Sequence, residues 1–342
     1  MTTCMQQPVS TEKAILRWGS FFIHVCHLQG GMPAFYRQRE DDIINLRGQD
    51  KIQIADLGRR RIKMDKSAVN FAANEMPEGT QILFGEFSES GKFYSCTYHH
   101  DVVYARYGDI ERKLQVIKPW QTGQKFPLIV FIQGSGWRKQ DLYAAIPNLS
   151  LIAAKGYVIA SVEIRDTDIA QFPAALEDVK CAIRFMRKNA ENYGVDPARV
   201  AVWGDSSGGH LSLMAGLTMG SYDNGLYSEQ SDAVCAVVDY YGVTDLLTLG
   251  KYNDILDHDS ADSPEGLLIG GRVKDNPELA RKASPIHQDL TKKLPPILII
   301  HGDSDRIVHI NQSIEMYKAL KQHGQCVTFY KVVGADHGTG VW

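Results

Sequence analysis

A glycine-flanked serine, Gly204-Asp205-Ser206-Ser207-Gly208-Gly209, follows the apolar run 200–203 and precedes a stretch of helical character. A serine at a sharp strand-to-helix turn is a nucleophile elbow. The turn lifts its hydroxyl above the sheet, and the helix N-terminus lends positive potential to a developing oxyanion. A serine hydroxyl is a poor nucleophile near neutral pH, so it needs an imidazole base and a carboxylate to orient that base. The chain supplies both. His301-Gly302-Asp303-Ser304-Asp305 follows the apolar run 297–301, and Gly334-Ala335-Asp336-His337-Gly338 follows the run 327–332. Asp305 is the better placed acid and Asp303 reads as a turn-capping residue, which leaves His337 as the base. The chemistry these three residues can do is acyl transfer through a covalent serine intermediate.

The tetrahedral intermediate of such a reaction needs two or three N–H donors. One is expected from the Ser207 amide. The others are expected from Ser135 and Gly136 in Gln133-Gly134-Ser135-Gly136-Trp137, the loop after the run 127–132, where Gly134 serves the turn. Trp137 and Tyr241 are candidates for lining a substrate pocket. His210, just past the elbow, reads as a packed core histidine, and Arg165 and Asp178 as a structural ion pair.

These side chains need a scaffold that brings loop ends together. From about residue 104, short apolar runs at 127–132, 157–162, 200–203, 235–240, 297–301 and 327–332 alternate with helical stretches. Nearly continuous apolar strands are buried on both faces, so the class is α/β with a mostly parallel sheet. Residues 174–192 carry Leu176, Val179, Ile183 and Met186 as a helical stripe, and 311–322 repeats the pattern. The stretches 219–232 and 243–283 read as surface loops or a lid. Residues 1–63 differ, with mixed charge and the arginine run 59–61; they read as an N-terminal extension, with Met64 a candidate for the natural start. Residues 64–342 read as one α/β domain.

The 342 residues carry a formal net charge of −3 and are 44% hydrophobic. No basic field suits a phosphate backbone, so nucleic acid is excluded as a partner. The six cysteines, Cys4, Cys26, Cys96, Cys181, Cys235 and Cys326, show no CxxC pair and no zinc spacing. Residues 14–28 are only moderately apolar and are interrupted by Arg17, His24 and His27, so neither a signal peptide nor a membrane span is read. Free thiols and the lack of a leader favour a cytoplasmic location.

From about residue 102 onward the chain resembles the esterase/lipase group of α/β hydrolases related to hormone-sensitive lipase and to acetylxylan and feruloyl esterases. The resemblance rests on QGSGW at 133–137, where the family has HGGGW, and on FPAALEDVKCAIRFMRKNA at 172–190. It also rests on GVDPARVAVWGDSSGGHLS at 194–212, ASPIHQDL at 283–290, HGDSDRIV at 301–308 and GADHG at 334–338. It implies an α/β-hydrolase fold with helices on both faces of a mostly parallel central sheet, and Ser206, Asp305 and His337 as the triad. It further implies no metal and no organic cofactor, and hydrolysis of short-chain, acetyl-type esters of a small molecule or carbohydrate. Three departures stand out. Gln133 replaces a histidine that ties down the oxyanion loop, a task a glutamine amide can take over. Ser135 replaces a glycine. The chain stops five residues after His337, where the family adds a final helix, so that helix is expected to be missing. The alternatives are a peptidase of the prolyl oligopeptidase type, whose propeller domain 63 extra residues could not supply, and a non-catalytic protein on the same fold.

Overall fold

The computed structural model describes residues 93–121, 123–252 and 255–338. The expectations for residues 1–63, for Met64 as a start and for the segment after residue 338 lie outside them. Among the described residues eight strands form one sheet: β1 Cys96–Tyr107, β2 Ile110–Pro119, β3 Phe126–Ile132, β4 Val158–Val162, β5 Val195–Asp205, β6 Ala236–Tyr240, β7 Ile297–Gly302 and β8 Val327–Val332. The helices that bear on the site are α1 Ile146–Ala153, α2 Ala174–Lys188, α3 Ser207–Leu217, α4 Pro264–Ile269, α5 Pro277–Lys282 and α6 Asn311–Gln322.

The sheet order is β1-β2-β4-β3-β5-β6-β7-β8. From β4 through β8 every pairing is parallel, and β2 joins β4 antiparallel. Side chains alternate across β3: Leu128, Val130 and Ile132 enter one core and Ile129 and Phe131 the other. That period of two is what a strand covered on both faces imposes. The first core takes the stripes of α2 (Leu176, Val179, Ile183, Met186) and α6 (Met316, Leu320); the second takes Leu149 and Ala153 of α1.

The six strands expected from apolar runs are all present, and α2 ends at Lys188 rather than at 192. The β1–β2 hairpin was not anticipated, because β1 is an edge strand with exposed Tyr98, His99 and His100 and two register irregularities that break its alternation. Its signal was the two-residue turn Gly108-Asp109, with Gly108 at φ +60°.

Arg165 and Asp178 do pair: the guanidinium Nε lies 3.0 Å from both carboxylate oxygens, and the Tyr107 hydroxyl donates to the same carboxylate at 2.6 Å. This ties β1, the loop after β4 and α2 into one unit.

A second buried acid sits under the elbow. Asp239, in β6, is wholly buried; its Oδ1 accepts the Gly242 amide at 2.9 Å, while Oδ2 has no partner among the described residues. Its Oδ1 lies 2.3 Å from where a Cβ on Gly209 would stand, so only glycine lets the first turn of α3 pass. Burial pushes the carboxyl up to about 7, against the single Gly242 hydrogen bond. Between about pH 4, where an unfolded aspartate releases its proton, and pH 7, the native state holds a proton that the unfolded chain has lost. Raising pH through this window therefore favours unfolding, by up to about 1.4 kcal/mol per unit. Asp239→Asn should remove that contribution: from pH 5 to pH 8 the urea midpoint should rise more, or fall less, in the variant than in the wild type, where buried His210 contributes the opposite slope.

Candidate active site

Strand β5 ends at Asp205 and α3 begins at Ser207, so Ser206 alone makes the turn, at φ 52° and ψ −123°. This left-handed geometry costs a non-glycine residue energy, and the surroundings hold it in place. The Ser206 amide donates to the Tyr240 carbonyl at 2.8 Å, and the His210 amide donates to the Ser206 carbonyl at 3.0 Å. The turn is tight because α3 crosses close over β3: a Cβ on Gly208 would stand 1.9 Å from the Ile132 carbonyl oxygen.

The loop after β7 supplies Asp305 and the loop after β8 supplies His337. The His337 Nδ1–H donates to Asp305 Oδ2 at 2.8 Å, and the Ser206 hydroxyl reaches His337 Nε2, also at 2.8 Å. The other oxygen of Asp305 accepts the amides of Ile307 and Val308 at 2.9 and 2.8 Å, and His301 Nε2 lies 3.3 Å from Oδ2. Burial alone would raise the Asp305 carboxyl; hydrogen bonds from His301 and His337, with their charge, outweigh it and hold the group well below the usual carboxylate range. It stays ionised and can only accept, which fixes the His337 tautomer with Nε2 free to take a proton. Asp303 is elsewhere: it accepts the Gly334 amide and pairs with Lys331. Tyr241, held at φ 43°, packs its ring edge-on against His337 with centroids 4.9 Å apart.

The oxyanion loop departs from expectation in two ways. The Ser135 amide does not point into open space; it donates to Ser207 Oγ at 2.9 Å. The Ser207 hydroxyl must rotate away before this amide can serve an oxyanion. The Gln133 side chain does not tie down the loop either, since its buried Oε1 has no partner among the described residues. Gln140 does that work. Its Nε2 donates to the Gln133 carbonyl at 3.1 Å and its Oε1 accepts the Ile164 amide at 3.0 Å. The loop is also pinned to the elbow by the Gly134 amide, which donates to Asp205 Oδ1 at 3.0 Å. Trp137, at φ 56°, donates its indole N–H to His210 Nδ1 at 3.0 Å; His210 Nε2 then carries the proton and donates to the Ala283 carbonyl at 2.7 Å. His210 is thus a neutral core bridge, and burial lowers it to about 4.

A cavity of about 50 Å³ opens on Ser206, walled by Gly136, Trp137, Ser207, His258, Glu265 and Val308 among others. Trp137 borders this cavity, whereas Tyr241 does not and instead backs His337. A larger cavity of about 530 Å³ shares Leu256 and His258 with it and extends past Lys251, Asp257, Asp259 and Lys274. His258 and Glu265 were not foreseen. The local signal was the helix cap at α4, where Ser263 accepts the Gly266 amide and Pro264 starts the helix, placing Glu265 in its first turn. Among the described residues no group of three or more His, Cys, Asp or Glu side chains is placed to hold a metal ion, and no helix is long and apolar enough to cross a membrane.

The profile of one protein family, BD-FAE, matches residues 114–320, which include β3 through β7, most of α6, the elbow and Asp305. The chain belongs to the BD-FAE family. Among curated proteins this BD-FAE chain is similar to the esterase LipC of Mycobacterium tuberculosis, 33% identical over 222 residues, or 62% of this chain and 53% of LipC. The chain spans about half the length of the curated relatives it matches. Among solved structures it is similar to a truncated carbohydrate esterase from gut microbiota, 31% identical with a TM-score of 0.63, covering 72% of this chain and 90% of that one. A bifunctional GH43-CE protein of Bacteroides eggerthii is 32% identical with a TM-score of 0.64, covering 70% of this chain and 35% of that one. The BD-FAE chain has the α/β-hydrolase fold of these esterases.

Proposed function

We propose that the protein is a serine carboxylesterase that removes short acyl groups, acetyl above all, from a small hydroxylated or carbohydrate alcohol. The observation that carries this reading is the continuous hydrogen-bonded line from Ser206 Oγ through His337 to Asp305. Ser206 Oγ attacks the ester carbonyl while His337 Nε2 takes its proton. The Ser207 and Gly136 amides, joined by that of Ser135 once the Ser207 hydroxyl has turned, hold the oxyanion. Collapse breaks the C–O bond to the alcohol, which leaves with the proton from His337, and water repeats the cycle on the acyl-enzyme.

The acyl preference is supported by size. The cavity at Ser206, about 50 Å³, is about a tenth of its neighbour of about 530 Å³, and this small size favours a short acyl group. The larger cavity beyond Leu256 and His258 is the side on which a bulky alcohol fits. A carbohydrate alcohol is also in keeping with the names of the two carbohydrate-esterase structures. A reducing, cytoplasmic setting is in keeping with six cysteines that include no CxxC pair.

The test is hydrolysis of p-nitrophenyl acetate, butyrate and octanoate, with fluorophosphonate labelling of the same preparation. Turnover should be highest on acetate and fall at least tenfold by octanoate, and the label should map to Ser206. A folded protein that neither turns over acetate nor takes the label is a non-catalytic member of the fold. One that prefers octanoate refutes the acyl assignment.

A further inference from the structure

His258 and Glu265 face each other in the wall of the Ser206 cavity, each only 3% exposed. His258 Nδ1 lies 3.0 Å from Glu265 Oε2, and His258 Nε2 lies 3.1 Å from the carbonyl oxygen of Ile307. A carboxylate and a carbonyl both accept, and a neutral imidazole has a single N–H to offer. With Glu265 as its carboxylate, both contacts are made at once only when both ring nitrogens carry protons.

The carbonyl belongs to a residue whose amide already matters. The Ile307 N–H donates to Asp305 Oδ1, and the Val308 N–H does the same. His258 thus grips, from outside, the same short loop that holds the catalytic acid from inside. Its own backbone is fixed in turn, since the Ser263 hydroxyl donates to the His258 carbonyl at 3.2 Å and caps α4, which carries Glu265. Among the described residues the charged groups acting on the ring are Glu265 from α4 and Asp257 beside it in the chain, and Lys251, Asp259 and Lys274 line the larger cavity that His258 also borders. On the turn Leu249–Lys251 the residue against His258 is Gly250, which is uncharged.

The geometry points to His258 as a positioning residue that acts as an imidazolium: paired with Glu265, it clamps the Ile307 carbonyl and so sets the Asp305 loop against His337. Loss of one proton breaks either the Glu265 or the Ile307 contact and loosens the acid. Burial works against the charge, but the Glu265 hydrogen bond and charge, the Ile307 carbonyl and Asp257 outweigh it and raise the ring above its ordinary value. The clamp is therefore engaged below that raised value and released as pH rises through it.

The kinetic part of this inference rests on the esterase reading; the structural part does not, and the experiment separates them. In the full-length chain, imidazole ¹⁵N shifts of His258 should report two protonated nitrogens below a midpoint raised above that of a free imidazole, and the Ile307 and Val308 amide resonances should titrate with the same midpoint. In Glu265→Gln that shared midpoint should fall by at least one pH unit. In parallel, the high-pH decline of kcat/KM on p-nitrophenyl acetate should move down by the same interval, and in His258→Gln it should disappear from a profile lowered about tenfold. A His258 midpoint no higher than that of a free imidazole, amide midpoints that do not follow it, or a high-pH limb unmoved in Glu265→Gln each overturn the clamp. A wild type that titrates as described but hydrolyses nothing overturns the esterase reading and leaves the clamp standing.

Discussion

Ser206→Ala is expected to reduce kcat on p-nitrophenyl acetate between about 10⁴- and 10⁶-fold while the protein keeps its fold. The size follows from the role: without Oγ there is no covalent intermediate, and what remains is the background supplied by binding and the amides around the carbonyl. The fold should survive because alanine keeps the Cβ and the φ of 52° that the elbow already imposes, and because the Ser206 amide and carbonyl contacts to Tyr240 and His210 are backbone contacts. The stability change should be within about 1.5 kcal/mol, the usual net worth of one hydrogen bond, here that to His337. Kinetics with a thermal melt of the same sample checks both halves. A loss under tenfold at unchanged melting temperature would mean that another residue is the nucleophile.

Asp305→Asn should lower kcat by about 10⁴-fold through the tautomer rather than through packing. An amide NH₂ facing His337 Nδ1 makes that nitrogen an acceptor, so the proton moves to Nε2 and faces Ser206 Oγ, where a free lone pair is required. The Asn carbonyl can still accept the Ile307 and Val308 amides, so the loop keeps its shape. The same substitution has a thermodynamic mark. Because the native Asp305 carboxyl is held below its unfolded value, it stabilises the fold above about pH 4, and that contribution is lost as pH falls toward its depressed native value. Wild-type melting temperature should therefore drop more steeply on acidification below pH 4 than that of the variant. Equal acid slopes would show that Asp305 is not the stabilised carboxylate the geometry describes.

What the sequence made legible was whatever depends on short-range chemistry. Ser206, Asp305 and His337 could be read because each sits directly after an apolar strand, and the parallel sheet brings the ends of such strands to one edge. Apolar runs also located β3 to β8, since strands covered on both faces leave no polar alternation to confuse. The cavity wall was not legible. His258 and Glu265 lie in the irregular stretch 243–283, where no period ties a residue to a face, and their pairing with Ile307 spans 49 positions for the histidine. Gln133 was credited with the work of Gln140 because a family position was carried over to the residue occupying it. The amide that performs the task stands seven residues along and reaches back across the loop. The Ser207 hydroxyl against the Ser135 amide is a matter of one side-chain rotation, which no residue pattern encodes.

The order in which the three reacting side chains leave the ribosome differs from the order in which they are used. Ser206 lies in the middle of the sheet and His337 follows β8, 131 positions later. At about 5 to 20 residues per second, the nascent chain displays its nucleophile for on the order of ten seconds before the base exists. Through that interval the serine has no proton acceptor and cannot attack esters around it. On the esterase reading proposed above, activity begins only with the docking of β8 and the loop beyond it, and a chain released before that point is inert.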